Sequence, residues 1–388
     1  MARLKLPTAA GELEPYATGG PSPFPAAAAG PFNRRAFAAV HVVADPLSGK
    51  DPWLEPAIDW APTIAYREHL WRLGFAVAEA MDTAQRGMGL DWPTSLALIR
   101  HSVAAAAKIP GAVVFSGAGT DHLPAEAGVG IDDVIRAYEE QCAAIEKLGG
   151  RIVLMASRAL AAVARSPDDY AKVYGRVLSQ VREPVIIHWL GDMFDPALAG
   201  YWGHADLKPA MEVCLAVLAA NAAKIDGVKI SLLSREHEIA MRRRLPRGMR
   251  MYTGDDFYFA ELIAGDGHGH SDALLGIFDA IAPAASAALS ALAGNDRVRY
   301  EQILEPCVPL SRHIFAAPTR FYKTGVVFMA WLNGHQQHFV MVGGQQSARH
   351  VLHLAELFRL ADRARLLRDP ELAAHRMRAL LAMNGIEA

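Results

Sequence analysis

Lys229 lies inside the apolar run 225-IDGVKISLL-233, and lysine is almost never buried without a partner or a purpose. At an ordinary pKa of about 10.4, a lysine is on the order of 0.04% neutral at pH 7. Apolar surroundings lower that pKa and free the amine to attack a carbonyl carbon. The product, a Schiff base, is an electron sink for making or breaking a C–C bond. A strand-end lysine turned to solvent is the plain alternative. His188, in 186-IIHWLG-191, can move protons near neutral pH without special tuning. Further polar groups follow short apolar runs: Asp82 and Thr83 in 81-MDTAQ-85, Thr120 in 117-GAGT-120, and Gly254 and Asp255 in 253-TGDD-256. Gly254 lets a backbone approach a ligand closely. Asp255 is a substrate-binding candidate, and Asp255 and Asp256 both also read as caps of the next helix. The pair Asp121–His122 either orients a substrate hydroxyl or caps the loop before 124-PAEAG-128.

A second chemistry is open at 265-GDGHGHSDALL-275. His268, His270 and Asp272 have the types and spacing to hold a divalent metal, joined by His188 or His122 across a shared mouth. Metal-assisted aldol or hydrolytic chemistry would follow. The segment also reads as a flexible loop whose histidines cap helices or lie in solvent.

These residues need a scaffold that gathers strand ends. Eight short apolar runs recur at 36–44, 75–81, 112–117, 151–156, 184–189, 227–233, 249–254 and 273–278. Their length and their β-branched and aromatic content suit buried parallel strands. Amphipathic stretches such as 93–109, 132–149 and 167–181 lie between them, with Pro93 and Pro167 placed where helices start. Eight such units in a row predict an α/β fold, the (β/α)8 TIM barrel, whose active sites lie at the C-terminal ends of the strands. An open doubly wound sheet is the fold alternative. Residues 1–34, rich in Pro, Gly and Ala, read as an extended N-terminal arm, 35–290 as the barrel and 291–388 as a C-terminal helical extension.

Composition narrows the function classes. Of 388 residues 52% are hydrophobic and 21% charged, which excludes global disorder. A net charge of −2 gives no basic excess for nucleic acid. Cys142, Cys214 and Cys307 are far apart and odd in number, so neither a disulfide framework nor a metal knuckle is read from them. No run reaches eighteen uninterrupted apolar residues, and the first residues lack the compact apolar stretch of a secretory signal. A cytoplasmic protein with no membrane partner is expected.

Taken in order, the motifs resemble the dihydrodipicolinate synthase / N-acetylneuraminate lyase family of pyruvate-dependent class I aldolases, over roughly residues 36–335. The family's Schiff-base lysine stands in a strand reading G-(I/V)-K-(E/D), matched by 227-GVK-229, and its S-G-D-D strand end is matched by 253-TGDD-256. The G-x-G-S/T loop is echoed by 117-GAGT-120 and the proline segment of the C-terminal helices by 318-PTRFYK-323. The resemblance implies a Schiff base at Lys229, a small carbonyl substrate, no cofactor, and a homo-oligomer, since family barrels are usually dimers or tetramers. It also implies that Thr83, with Asp82 beside it, orients the substrate head. Three departures stand out. Asp82 replaces a hydroxyl in the family's G-T-T-G-E turn and would repel a carboxylate. His188 stands where the family has a proton-relaying tyrosine. Met193 stands where some synthases have an arginine. A divergent lyase or aldolase acting on an oxo acid or another carbonyl compound is therefore expected, rather than dihydrodipicolinate synthase itself. A barrel that binds a carbonyl ligand without turning it over is the non-catalytic alternative.

Overall fold

The computed structural model describes residues 2–123 and 128–387. Eight parallel strands close into a barrel: β3 (Ala36–Ala39), β4 (Ala76–Glu79), β5 (Val114–Ala118), β6 (Arg151–Met155), β7 (Val185–Leu190), β8 (Ile225–Ser231), β9 (Arg250–Thr253) and β10 (Asp272–Leu275), with β10 pairing back onto β3. The fold is the (β/α)8 barrel that the sequence predicts. Helices α1 (Trp60–Arg72), α2 (Trp92–Ala106), α3 (Ile131–Lys147), α4 (Arg158–Val163), α5 (Pro167–Gln180), α6 (Leu207–Ala220), α7 (Arg235–Arg242), α8 (Phe259–Ala264), α9 (Ile277–Ala280) and α10 (Ala282–Ala293) follow the strands. Beyond them come α11 (Arg297–Leu304), α12 (Cys307–Ile314), α13 (Tyr322–Leu332), α14 (Val351–Arg363) and α15 (Pro370–Met383). Every residue of α13 is buried, between α9 on the barrel side and α14 and α15 outside. Among the described residues, no helix is long and apolar enough to cross a membrane.

Strand alternation decides which side chains enter the barrel. Phe37, Ala78, Phe115, Val153, Ile186, Tyr252 and Leu274 fill its interior, with Phe37 edge-on to Phe115 and Tyr252 at 5.1 and 5.8 Å. This is a packed core, not a pore. On β8 the same alternation turns Gly227, Lys229 and Ser231 inward, while Val228 and Ile230 join the layer under the helices. A Cβ at Gly227 would lie 2.6 Å from the Arg250 carbonyl oxygen and 2.7 Å from the Tyr252 ring. Glycine there lets the tyrosine fill the floor beneath the lysine.

The N-terminal segment differs from the extended arm expected of it. β1 (Arg3–Pro7) and β2 (Leu13–Ala17) form an antiparallel hairpin that packs on α14 and α15. The cause is a period-two pattern, with Leu4 and Leu6 buried and Arg3 and Lys5 exposed. The following chain is pinned to its own protomer, Ser22 N to the Leu367 carbonyl and Ala28 N to that of Arg72.

Candidate active site

Lys229 is 6% exposed and stands near the C-terminal end of β8. In the strand register it is the direct neighbour of His188 on β7 and of Tyr252 on β9. Burial pushes its pKa below the ordinary lysine value, and the carboxylates of Asp82 and Asp256 oppose that shift. His188 is fully buried. Its Nε2 lies 3.3 Å from Ser231 Oγ, and its Nδ1 has no partner. Burial, then the charge of Lys229, pushes it well below the ordinary histidine value, so the imidazole is neutral at pH 7. Asp256 is driven the other way, up to about 7, by burial, against the Ile277 amide at 2.9 Å and Lys229. Amine, imidazole and carboxyl are thus all pushed toward their uncharged forms within one small space.

Close approach makes that space possible. A Cβ at Gly254 would lie 2.7 Å from Lys229 Cε and would overlap Ser231 Oγ. Gly254 makes room for the lysine, a role distinct from the ligand contact that the sequence suggests. Opposite the lysine, β4 leads into the Asp82–Thr83 turn through Ala80, whose φ of 51° is a left-handed conformation that costs a non-glycine residue on the order of 1 kcal/mol. The turn brings Asp82 and Thr83 to the wall of the lysine pocket, together with Asp256, Ser231 and Tyr322. Thr83 Oγ1 and the Tyr322 hydroxyl lie 2.8 Å apart, both buried.

Asp82 and Leu190 border this pocket and also a larger cavity of about 880 Å3 at the barrel mouth, within the size range of small-molecule sites. His188 and Thr120 line the larger cavity as well. Thr120 Oγ1 is 2.6 Å from Ser157 Oγ, which caps α4 through the Leu160 amide. Arg158 and Asp195, an ion pair, stand at its rim. One wall is apolar, from Ala159, Ala162 and Val163 of α4 to Leu198.

The structure gathers Lys229, His188, Asp82, Thr83 and Thr120 at one mouth, where Asp121 also lines the larger cavity, and leaves other candidates apart. Asp255 turns Oδ1 onto the amides of Phe257 and Tyr258, at 2.9 and 3.0 Å, and lines neither cavity. This is the turn-capping geometry that the sequence also suggests for it. His122 sits against Glu140 and Gln141. Asp121 is gripped by Arg86 through two bonds of 3.0 and 2.6 Å. Burial alone would raise Asp121, but Arg86 and Gln141 hold it below the ordinary carboxylate value. Residues 124–127 of the loop it was expected to cap lie outside the described residues.

The residues of the metal alternative stand at the other end of the barrel. Asp272 is the first residue of β10, its Oδ1 accepting the Arg35 amide at 2.8 Å and its Oδ2 lying 3.4 Å from Arg250. That is the N-terminal end of the barrel, opposite His188, and the loop carrying His268 and His270 lies on that side. Among the described residues no group of three His, Cys, Asp or Glu is placed to hold a metal ion.

Arg86, Tyr322 and the Ser231 that faces His188 escaped sequence reasoning. Arg86 welds the β4 turn to the β5 end through the Gly117 carbonyl at 2.5 Å as well as through Asp121. Tyr322 arrives from α13, across 239 residues from Thr83. Its only sequence signal was the proline segment 318–323 that contains it.

The sequence matches, over residues 4–386, the family model described as "Protein of unknown function (DUF993)". The chain belongs to that family. No curated protein matches it. Solved structures do. YagE, a prophage protein of the dihydrodipicolinic acid synthase family from E. coli K12 determined in complex with pyruvate, aligns with a TM-score of 0.66 at 15% identity, covering 86% of this chain and 99% of that one. Dihydrodipicolinate synthase from Aquifex aeolicus aligns with 0.60 at 13%, covering 91% and 99%. The Bacillus clausii enzyme gives 0.58 at 14%, covering 84% and 97%. This DUF993 chain therefore has the dihydrodipicolinate synthase fold.

Proposed function

We propose that this DUF993 protein is a Schiff-base-forming lyase or aldolase with Lys229 as its nucleophile. The observation that carries the reading is a buried lysine, lowered in pKa, in a pocket whose Asp82 and Leu190 also line a cavity large enough for a small-molecule substrate. Neutral Lys229 Nζ adds to the substrate carbonyl carbon. The carbonyl oxygen takes up protons and leaves as water, giving the iminium. Cleavage of the neighbouring C–C bond sends its electron pair into the iminium to form an enamine, and a proton leaves the departing group. His188 accepts that proton; its neutral ring and unpartnered Nδ1 support the role. The enamine is then protonated and the iminium hydrolysed. Condensation is the reverse sequence.

Asp82 shapes substrate choice. With a carboxylate where the resembled family has a hydroxyl, the site favours a carbonyl compound whose head is a hydroxyl over one whose head is a carboxylate. Thr83 and Thr120 supply hydroxyls to orient it. The reading needs no resident cofactor and is compatible with a homo-oligomer. Turnover is the test. Across a panel of oxo acids and hydroxylated ketones and aldehydes, the native chain cleaves or condenses at least one compound and Lys229→Ala none. Turnover that survives Lys229→Ala overturns the reading.

A further inference from the structure

A second cavity lies outside the barrel, where α1, α9 and α13 meet beneath the segment Ser22–Ala26. It measures about 230 Å3, below the ~300–1,000 Å3 of drug-sized pockets. Its lining holds two unpartnered buried polar atoms. Asp279 is 1% exposed. Its Oδ2 accepts both the His41 amide at 2.9 Å and the His41 ring at 2.7 Å, while its Oδ1 has no partner. His69 Nε2 is likewise buried and unpartnered. The His69 and His335 rings lie 4.7 Å apart. Burial pushes His69 down to about 4 and His335 well below the ordinary value, so both are neutral at pH 7. At the solvent edge stand the exposed Arg72 and Arg368.

Burying a polar group without a partner is costly, and native chains leave few of them so. Two facing one cavity, Asp279 Oδ1 and His69 Nε2, call for a polar occupant. Water is the minimal occupant. The charges ask for more. Two guanidiniums suit a carboxylate at one end, and a buried carboxylate oxygen wants a donor at the other. We propose that this cavity is a regulatory site for a small organic acid that carries a hydroxyl or ammonium donor at its far end, the acid facing Arg72 and Arg368 and the donor facing Asp279.

Asp279 gives the site a short route to Lys229. It lies on the four-residue α9, preceded by Gly276, which lines the lysine pocket, and the Ile277 amide donates to Asp256 at 2.9 Å. A ligand that draws Asp279 outward shifts the first turn of α9 and with it Asp256. Binding itself stands apart from the proposed activity; the regulatory half rests on it.

The test is calorimetry on the full chain with glycerate, lactate, glycine, alanine and inorganic phosphate. At least one organic acid should bind the native chain and Lys229→Ala alike, and Arg72→Gln/Arg368→Gln should weaken it about tenfold or more, the scale of a lost charge-assisted pair. Glycerate and lactate binding alone identifies a hydroxyl donor; glycine and alanine binding alone identifies an ammonium. Saturating ligand should also change the rate of borohydride trapping at Lys229 by about fivefold. No binding by any acid at millimolar concentration leaves water as the occupant and overturns the site. Binding that survives the double arginine variant, or that Lys229→Ala abolishes, places the ligand elsewhere and overturns it too. Phosphate binding as tightly as the organic acids overturns the role of Asp279. Binding without any change in trapping rate overturns regulation but leaves the site.

Discussion

The two ends of the barrel carry similar residue types and use them in opposite ways. At the N-terminal floor the carboxylates of β8 and β10 are paired. Asp226 takes Arg35, Arg250 and the Tyr252 hydroxyl at 3.0, 2.9 and 2.5 Å, and Asp272 takes Arg250 and the Arg35 amide. At the C-terminal mouth Lys229, His188 and Asp256 are more deeply buried and less paired, and each is pushed toward its neutral form. A paired ion holds strands together. An unpaired buried amine is costly to the fold and useful to chemistry. The same contrast separates Lys229 from the chain's other buried lysine, Lys323. Burial takes Lys323 to about 8, but its Nζ is spent on the Arg320 carbonyl at 3.0 Å and Met88 Sδ at 3.2 Å.

Exchange across the two ends should break function at one and stability at the other. Lys229→Met removes the amine while keeping an apolar chain of similar length. It should lower turnover by at least about 10³-fold, the scale for losing a covalent nucleophile, with a Tm equal to or above the native value. Gly254→Ala forces a methyl against Lys229 Cε. It should destabilise by about 1–3 kcal/mol, as overpacking does, and slow adduct formation, read by denaturant melts and trapping kinetics. Asp272→Ala at the floor should cost about 1–3 kcal/mol by exposing the Arg35 amide to loss of its acceptor, with turnover kept within about twofold. Chelator treatment should leave turnover unchanged.

A pH series sharpens the same comparison. Asp256 is raised in the folded chain to about 7 against about 3.9 unfolded. An acid raised on folding binds its proton more tightly in the native state, so its stabilisation is complete below pH ~4 and fades as pH climbs through about 7. The native chain should lose stability relative to Asp256→Asn across that window. Asp226→Asn, whose partner ions remain charged there, should not reproduce the effect.

Much of the fold was legible because buried parallel strands announce themselves as short apolar runs. All eight runs became strands, with ends moved by a few residues. The hairpin of residues 3–17 was masked by composition: Pro, Gly and Ala downstream outweighed the alternation of Leu4 and Leu6. Lys229 was legible because a charge inside an apolar strand breaks a strong pattern. Arg86 and Tyr322 were not, since an arginine in a turn and a tyrosine in a helix are ordinary until the fold places them. The histidine loop misled for the converse reason. Spacing suggested a metal set, but the barrel's polarity puts a loop before β10 at the floor, far from the mouth that β7 delivers.

The most direct measurement is borohydride trapping of the native chain with pyruvate and a panel of hydroxylated ketones and aldehydes, followed by peptide mass mapping. The account predicts a reduced adduct on the peptide carrying Lys229 and none on the one carrying Lys323. An adduct on Lys323 instead, or no adduct with any compound on folded protein, contradicts it.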